Sequence, residues 1–240
     1  MSNDGQDINE KIPSGTGTRF GPPQRIFPIV RYVSYVSTLA LSRSSFTPNQ
    51  ITATSLAFGL LAAWLFQYSG PVPTLTGAGF FIACYVLDCC DGEIARLKNL
   101  ASHFGMRFDT FVDWMVHSAF FIALGAGVSD RTEEPFWLWC GLIAAAGGTV
   151  NYAIDFLRDS GVKIGDSNEG SWHRAMEGKP VESNADRSIY VSRVIRNDFC
   201  FIVLALALAD VLWILLPTGA IGAQVYWMLQ FSKGFRRRHF

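Results

Sequence analysis

The sequence predicts an all-α integral membrane protein with six transmembrane helices and an N-terminal amphipathic helix that lies in the membrane interface. Half of the 240 residues are hydrophobic. They are concentrated in runs of about 18 residues or more, the length that an α-helix needs to cross a bilayer. The charged residues are crowded between these runs. Because 20 basic residues balance 20 acidic ones, the net charge indicates no nucleic-acid partner.

The N-terminal region divides into two parts. Residues 1–21 are polar and glycine-rich, without the apolar core of a signal peptide, so we expect a disordered tail. Residues 22–44 mix aromatic and aliphatic side chains with Arg25, Arg31 and Arg43. This segment is too charged to span a membrane and too apolar to stay in water, which predicts the interfacial helix.

Six apolar segments follow, and with the interfacial helix they define one predicted membrane domain over residues 22–232. The first span begins at Pro48, since proline is favoured in the first turn of a helix. A polar stretch, residues 158–188, separates the fourth span from the fifth, and residues 233–240 form a basic cytoplasmic tail. The predicted spans cover residues 47–68, 75–100, 107–128, 136–156, 191–209 and 212–231.

The distribution of lysine and arginine predicts the orientation. Nineteen of these 20 residues lie in four places: the N-terminal region, the links between spans two and three and between spans four and five, and the C-terminal tail. Arg131 alone falls on the opposite side. Six spans with both termini in the cytoplasm place all four clusters where the positive-inside bias requires them. We therefore expect a multi-pass protein, in the inner or plasma membrane if the source is bacterial.

Two pairs of aspartates carry the chemical signal. Asp88 and Asp91 are three residues apart, and Asp109 and Asp113 are four apart, so each pair shares one face of a helix. The two helices are consecutive and antiparallel, which lets the pairs meet at the cytoplasmic end of the membrane. Four ionised carboxylates at that depth need compensation. An all-oxygen set suits one or two ions of Mg²⁺, Mn²⁺ or Ca²⁺, and Mg²⁺ leaves positions for substrate phosphates.

Small residues and one arginine accompany the aspartates. Gly92 and Ala95 clear space for a bulky ligand to approach the backbone, and Gly105 does the same on the facing helix. Arg96 can bind a phosphate through a bidentate contact. Pairing with lysine or arginine is the structural alternative for a single buried aspartate. It does not explain two helically spaced pairs with small residues between them.

This pattern resembles the signature of the CDP-alcohol phosphatidyltransferases, DxxDGxxAR(x8)GxxxDxxxD. The resemblance extends to the start of the first span, Thr47–Thr52, and to the six-span layout. It implies a membrane enzyme that moves a phosphoalcohol group from a CDP-alcohol to a hydroxyl acceptor and releases CMP. It also implies Mg²⁺ or Mn²⁺, surrounding membrane lipids and a homodimer. All eight signature positions are filled: Asp88, Asp91, Gly92, Ala95, Arg96, Gly105, Asp109 and Asp113.

The resemblance also implies roles for these residues. Asp88, Asp91 and Asp109 would bind the metal ions that hold the CDP pyrophosphate. Asp113 would contribute to the metal site and act as the general base that deprotonates the acceptor hydroxyl. Four residues would line the CDP pocket: Gly92, Ala95, Arg96 and Gly105.

The acceptor site is predicted from arginines at span ends on the cytoplasmic side, where they would bind an acceptor phosphate: Arg158, Arg193 and Arg196. The positive-inside bias explains arginines there equally well. We expect CDP-diacylglycerol as donor, with inositol phosphate or glycerol phosphate as acceptor. A soluble CDP-inositol-type donor with a polyol phosphate acceptor is an alternative, because the run Glu93–Lys98 resembles such members. A transporter or an inactive lipid-binding relative is the alternative from another class, although the complete set of acids argues against lost activity.

Overall fold

The computed structural model describes residues 29–68, 70–159 and 198–236. Those residues form helices and turns without any β-strand, which confirms the predicted all-α class for this part of the chain. A short 3₁₀ helix, Leu212–Ile214, precedes the last α-helix. The α-helices are α1 (Val30–Ser42), α2 (Pro48–Phe66), α3 (Pro71–Leu97), α4 (His103–Thr132), α5 (Phe136–Asp159), α6 (Phe199–Leu208) and α7 (Leu215–Arg236).

Four helices, α2 to α5, are long and apolar enough to cross a membrane. They correspond to the first four predicted spans. The described part of α6 covers only the second half of the predicted fifth span, and the apolar stretch of Leu212–Met228 is shorter than a full span. The fifth and sixth spans therefore remain a prediction.

Helix ends follow from local sequence and differ in part from the predicted bounds. The side chains of Thr47 and Gln50 cap each other's backbone N–H groups at the start of α2, so this helix begins as predicted. α3 starts at Pro71, earlier than predicted, because its first turn accommodates proline. α4 continues beyond residue 128 to Thr132 and ends where Glu133 adopts a left-handed conformation with φ 57°.

Helix α2 lies between the two helices that carry the aspartates. It packs along both α3 and α4. A Cβ at Gly59 would lie 2.8 Å from Val116 Cγ1, so a glycine is needed for α4 to approach α2 this closely. The ring of Phe66 contacts those of Phe81 and Phe120, with centroids 6.2 Å and 5.2 Å away. The backbones of α3 and α4, by contrast, hardly approach each other, so side chains bridge these two helices.

Helix α1 packs against α3. It falls within the predicted interfacial segment, of which residues 22–28 lie outside the described part of the chain. Its inner face is polar, since Ser34 and Thr38 are fully buried. Its outer face exposes apolar side chains, including Val33 and Val36, the latter with 66% of its surface accessible. The hydrogen bonds made by the inner face hold α1 beside the aspartates, as described below.

Candidate metal and substrate site

Three of the four predicted metal ligands converge. Asp88 and Asp91 lie toward the C-terminal end of α3, and Asp109 lies near the start of α4. One carboxylate oxygen from each is within 4.8 Å of the other two. Oxygen ligands of a single hard cation are separated by about 3–5 Å. The donor set therefore fits Mg²⁺ or Mn²⁺ in both chemistry and spacing.

Asp113 lies beside this group rather than within it. It is exposed, one turn further along α4 than Asp109. It is close enough to interact electrostatically with both Asp88 and Asp109. The structure thus separates the four acids into a convergent trio and a more accessible fourth carboxylate. An accessible carboxylate next to the trio can accept a proton from an incoming ligand.

Helix α2 supports the trio through Thr52. The Thr52 side chain is buried, and its hydroxyl is hydrogen bonded to Asp91 Oδ2. It also lies 3.0 Å from the carbonyl oxygen of Pro48, one turn earlier. Asp91 is itself only 5% exposed. Thr52 lies in the segment that resembles the family's first span, but its contact with Asp91 could not be predicted without the helix packing.

The predicted CDP-binding residues lie on both motif helices. Gly92 and Ala95 follow Asp88 by four and seven residues and therefore share its face of α3. The Arg96 guanidinium folds over Gly92, where a Cβ would be 3.5 Å from one of its nitrogens. On α4, a Cβ at Gly105 would be 3.1 Å from Asn49 Oδ1. A Cβ at Gly92 would thus make only an ordinary contact, whereas one at Gly105 would crowd the Asn49 side chain.

Glu93 is a buried acid that sequence reasoning did not select. It is 8% exposed, and its carboxylate faces α1. One oxygen accepts hydrogen bonds from Arg31 (3.0 Å) and from the Ser34 hydroxyl (3.2 Å), and the other accepts one from the Thr38 hydroxyl (2.7 Å). Charge at membrane depth was the available signal, and it applies to Glu93 as much as to the aspartates. The structure shows that this acid has protein partners.

Two further charged side chains hold the ends of α1. Asp198 is buried, and its carboxylate accepts hydrogen bonds from the backbone N–H groups of Ile29 (3.0 Å) and Val30 (3.1 Å). Lys98 Nζ donates to the carbonyl oxygens of Ser44 (2.7 Å) and Phe46 (3.1 Å), just after α1. Asp198 therefore satisfies the first amides of α1, which have no partner within the helix.

Three arginines are predicted to bind the acceptor phosphate: Arg158, Arg193 and Arg196. Arg193 and Arg196 lie outside the described residues. Arg158 is in the last turn of α5, but its side chain also lies outside the described part. Their role stays a prediction.

A family model described as CDP-alcohol phosphatidyltransferase matches residues 45–177, which is more than half of the chain. The bifunctional IPC transferase and DIPP synthase of Aquifex aeolicus is 31% identical over 110 residues, covering 46% of this chain and 24% of that protein. This chain therefore spans about a quarter of the length of that relative.

Two shorter relatives are also similar to part of this chain. The CDP-diacylglycerol–serine O-phosphatidyltransferase of Helicobacter pylori is 33% identical over 66 residues, 28% of this chain and 27% of that protein. The CDP-diacylglycerol–glycerol-3-phosphate 3-phosphatidyltransferase of Rickettsia bellii is 31% identical over 110 residues, 46% of this chain and 58% of that protein. The names of these relatives share a transfer reaction and differ in acceptor.

Proposed function

The chain belongs to the CDP-alcohol phosphatidyltransferase family, and we propose that it transfers a phosphoalcohol group from a CDP-alcohol to the hydroxyl of an acceptor alcohol. The acceptor oxygen forms a bond to the phosphorus that carries the donor alcohol. The bond from that phosphorus to the oxygen bridging it to CMP breaks, and CMP leaves with the electron pair. The observation that carries this proposal is the convergence of Asp88, Asp91 and Asp109 within 4.8 Å, from two consecutive helices.

Asp88, Asp91 and Asp109 are proposed to hold Mg²⁺ or Mn²⁺, one ion or two. Their oxygen-only chemistry and close spacing support this assignment. A divalent cation bound there would neutralise charge on the pyrophosphate and on the departing CMP. Thr52 supports the site from α2, since its hydrogen bond to Asp91 orients the carboxylate of one proposed ligand.

The remaining signature residues are proposed to bind the donor and to move the proton. Asp113 accepts the proton of the acceptor hydroxyl, a role that its exposure beside the trio supports. Arg96 binds a donor phosphate, a role that its position beside Gly92, on the face of α3 that carries Asp88, supports. Ala95 and Gly105 complete the CDP pocket by leaving space on the two helices.

The proposed membrane domain is the predicted one, residues 22–232, with six spans. Both termini lie in the cytoplasm, and the site lies at the cytoplasmic end of the membrane. The tails are residues 1–21 and 233–240, and two copies form a homodimer. Helix α1 lies in the interface among lipids, because its outer face exposes apolar side chains such as Val36 while its inner face is hydrogen bonded. The length and apolar composition of α2 to α5 support membrane insertion.

The proposed substrates are CDP-diacylglycerol and a polar acceptor such as inositol phosphate or glycerol phosphate, with Arg158, Arg193 and Arg196 binding the acceptor phosphate. The glycerol-3-phosphate named for the Rickettsia bellii relative supports such an acceptor. A soluble CDP-inositol-type donor with a polyol phosphate acceptor is the second candidate. It is favoured by the run Glu93–Lys98, which resembles family members that use such a donor.

The test is a screen of CDP donors against acceptors with the full chain in detergent micelles or nanodiscs. CMP release and product mass are followed with Mg²⁺, with Mn²⁺ and with EDTA. We expect CMP release that needs an acceptor and a divalent ion, and that is lost in Asp88→Asn. Asp210→Asn is the matched control, because Asp210 is largely exposed in the turn after α6 and pairs with Arg131. If no pair releases CMP, the transferase proposal fails and a transporter or lipid-binding role takes its place.

A further inference from the structure

A direct hydrogen bond joins the two aspartate-bearing helices on the interior side of the site. Tyr85 precedes Asp88 by three residues on α3, and His117 follows Asp113 by four residues on α4. Both pairs therefore lie on shared helix faces. The Tyr85 hydroxyl and His117 Nε2 are 2.7 Å apart. Because the backbones of α3 and α4 hardly approach each other, this bond spans the gap between them.

The direction of the bond follows from the second contact of His117. Its Nδ1 lies 2.7 Å from the backbone carbonyl oxygen of Asp113. A carbonyl can only accept, so Nδ1 must carry a proton. In the neutral imidazole Nε2 then has a lone pair, and the Tyr85 hydroxyl donates to it. The bonds thus run from Tyr85 through His117 to the backbone of Asp113.

The polar pair is surrounded by aromatic side chains. The Phe81 ring lies 5.1 Å from that of Tyr85 and 6.5 Å from that of His117. Phe199, at the start of α6, lies 6.4 Å from Tyr85 and 6.2 Å from His117. Both polar side chains are half-buried, and a hydrogen bond in such partly apolar surroundings is stronger than in water. A phenylalanine at position 85 would keep the ring contacts and lose only the bond.

We propose that Tyr85 and His117 are positioning residues that set the separation of the two acid pairs, by joining α3 to α4 one turn inside the site. The proposal rests on the proposed function. Asp88 and Asp91 are carried by one helix, and Asp109 and Asp113 by the other. A change in the spacing of the helices therefore changes every distance between the pairs. The short link between α3 and α4 limits their separation at one end of the site. The hydrogen bond of Tyr85 limits it at the other end.

The experiment uses three variants of the full chain in nanodiscs. Tyr85→Phe removes the hydroxyl alone. His117→Gln keeps a side-chain acceptor near the position of Nε2, whereas His117→Asn keeps a donor near the position of Nδ1 and cannot reach Tyr85. Tyr68→Phe is the control, since Tyr68 is exposed just after the far end of α2. Mn²⁺ affinity is measured by electron paramagnetic resonance without substrate, kcat and KM by CMP release, and folding by thermal unfolding.

We expect Tyr85→Phe and His117→Asn to weaken Mn²⁺ binding and lower kcat by about tenfold, as supporting residues of metal ligands commonly do. His117→Gln should recover most of both, and Tyr68→Phe should match the parent chain. A purely structural role would lower the unfolding temperature without separating glutamine from asparagine. That result, or Tyr85→Phe within about twofold of the parent in Mn²⁺ affinity and kcat, would overturn the proposal. If the parent chain releases no CMP, the proposed function fails, and Mn²⁺ affinity alone decides on the pair.

Discussion

The Thr38 hydroxyl donates a 2.7 Å hydrogen bond to the carboxylate of Glu93, joining the middle of α1 to α3 two residues after Asp91. Both side chains are buried. Arg31 pairs with the other carboxylate oxygen at 3.0 Å. Lipid is as apolar as the helix surfaces it covers, so helices in a membrane associate through close packing and through interhelical hydrogen bonds such as these. Helix α1 is thus attached to the helix that carries the first two metal ligands.

The first prediction concerns this attachment. Glu93→Ala should lower the free energy of unfolding by about 2 kcal/mol, because the buried Thr38 hydroxyl loses its acceptor on Glu93 and the Ser34 hydroxyl keeps only the Arg31 carbonyl. The loss is smaller than for a fully buried ion pair, since Arg31 is a quarter exposed and can turn to solvent. Thermal unfolding in detergent measures it, with the exposed Glu134→Gln as control. Equal unfolding temperatures for the two variants would contradict an anchoring role for Glu93.

The second prediction concerns the convergent trio. Asp88→Asn, Asp91→Asn and Asp109→Asn should each weaken Mn²⁺ binding by more than about a hundredfold, because loss of a direct ligand exceeds the 10–100-fold effect of a supporting residue. Electron paramagnetic resonance of Mn²⁺ titrations without substrate measures this. Asp210→Asn should leave the affinity unchanged. If any of the three variants binds Mn²⁺ as the parent does, that aspartate is not a ligand.

The third prediction separates Asp113 from the trio. Asp113→Asn should lower kcat by about a hundredfold or more, the usual contribution of a general base, while the CDP donor still binds. Single-turnover CMP release and equilibrium binding of the CDP donor distinguish the two effects. Unimpaired turnover would remove Asp113 as the base. Lost donor binding would instead place it among the residues that hold the donor.

The fourth prediction tests the support that α2 gives to Asp91. Thr52→Val keeps the shape of the side chain and removes its hydrogen bond to Asp91, so Mn²⁺ affinity should fall by about tenfold. Thr52→Ser keeps the hydroxyl and should restore most of the affinity. The comparison is made on folded protein of matched unfolding temperature. Equal affinities for valine and serine would show that the hydroxyl does not orient Asp91.

Local signals made much of the fold predictable. Thr47, Pro48 and Gln50 mark the start of α2, because the cap, the first-turn proline and the reciprocal hydrogen bonds all act within one turn. The third span was predicted to end at Val128. The polar residues after it continue α4 to Thr132, and the helix ends where the backbone of Glu133 adopts a left-handed conformation. Apolar run length predicted six spans, and the described residues contain four helices long and apolar enough to cross a membrane.

The sequence by itself determined which helix faces carry the acids. Helical periodicity places Asp88 with Asp91 and Asp109 with Asp113, and the cost of unpaired charge in a membrane requires that they be compensated. The same energetic cost applies to the buried carboxylates of Glu93 and Asp198, but it does not identify the groups that compensate their charge. Only the tertiary structure decided that Glu93 and Asp198 hold α1, that Thr52 supports Asp91, and that His117 joins Tyr85. The physical reason is that a buried polar group needs a partner within about 3 Å, and residues far apart in sequence reach that distance only when the helices pack.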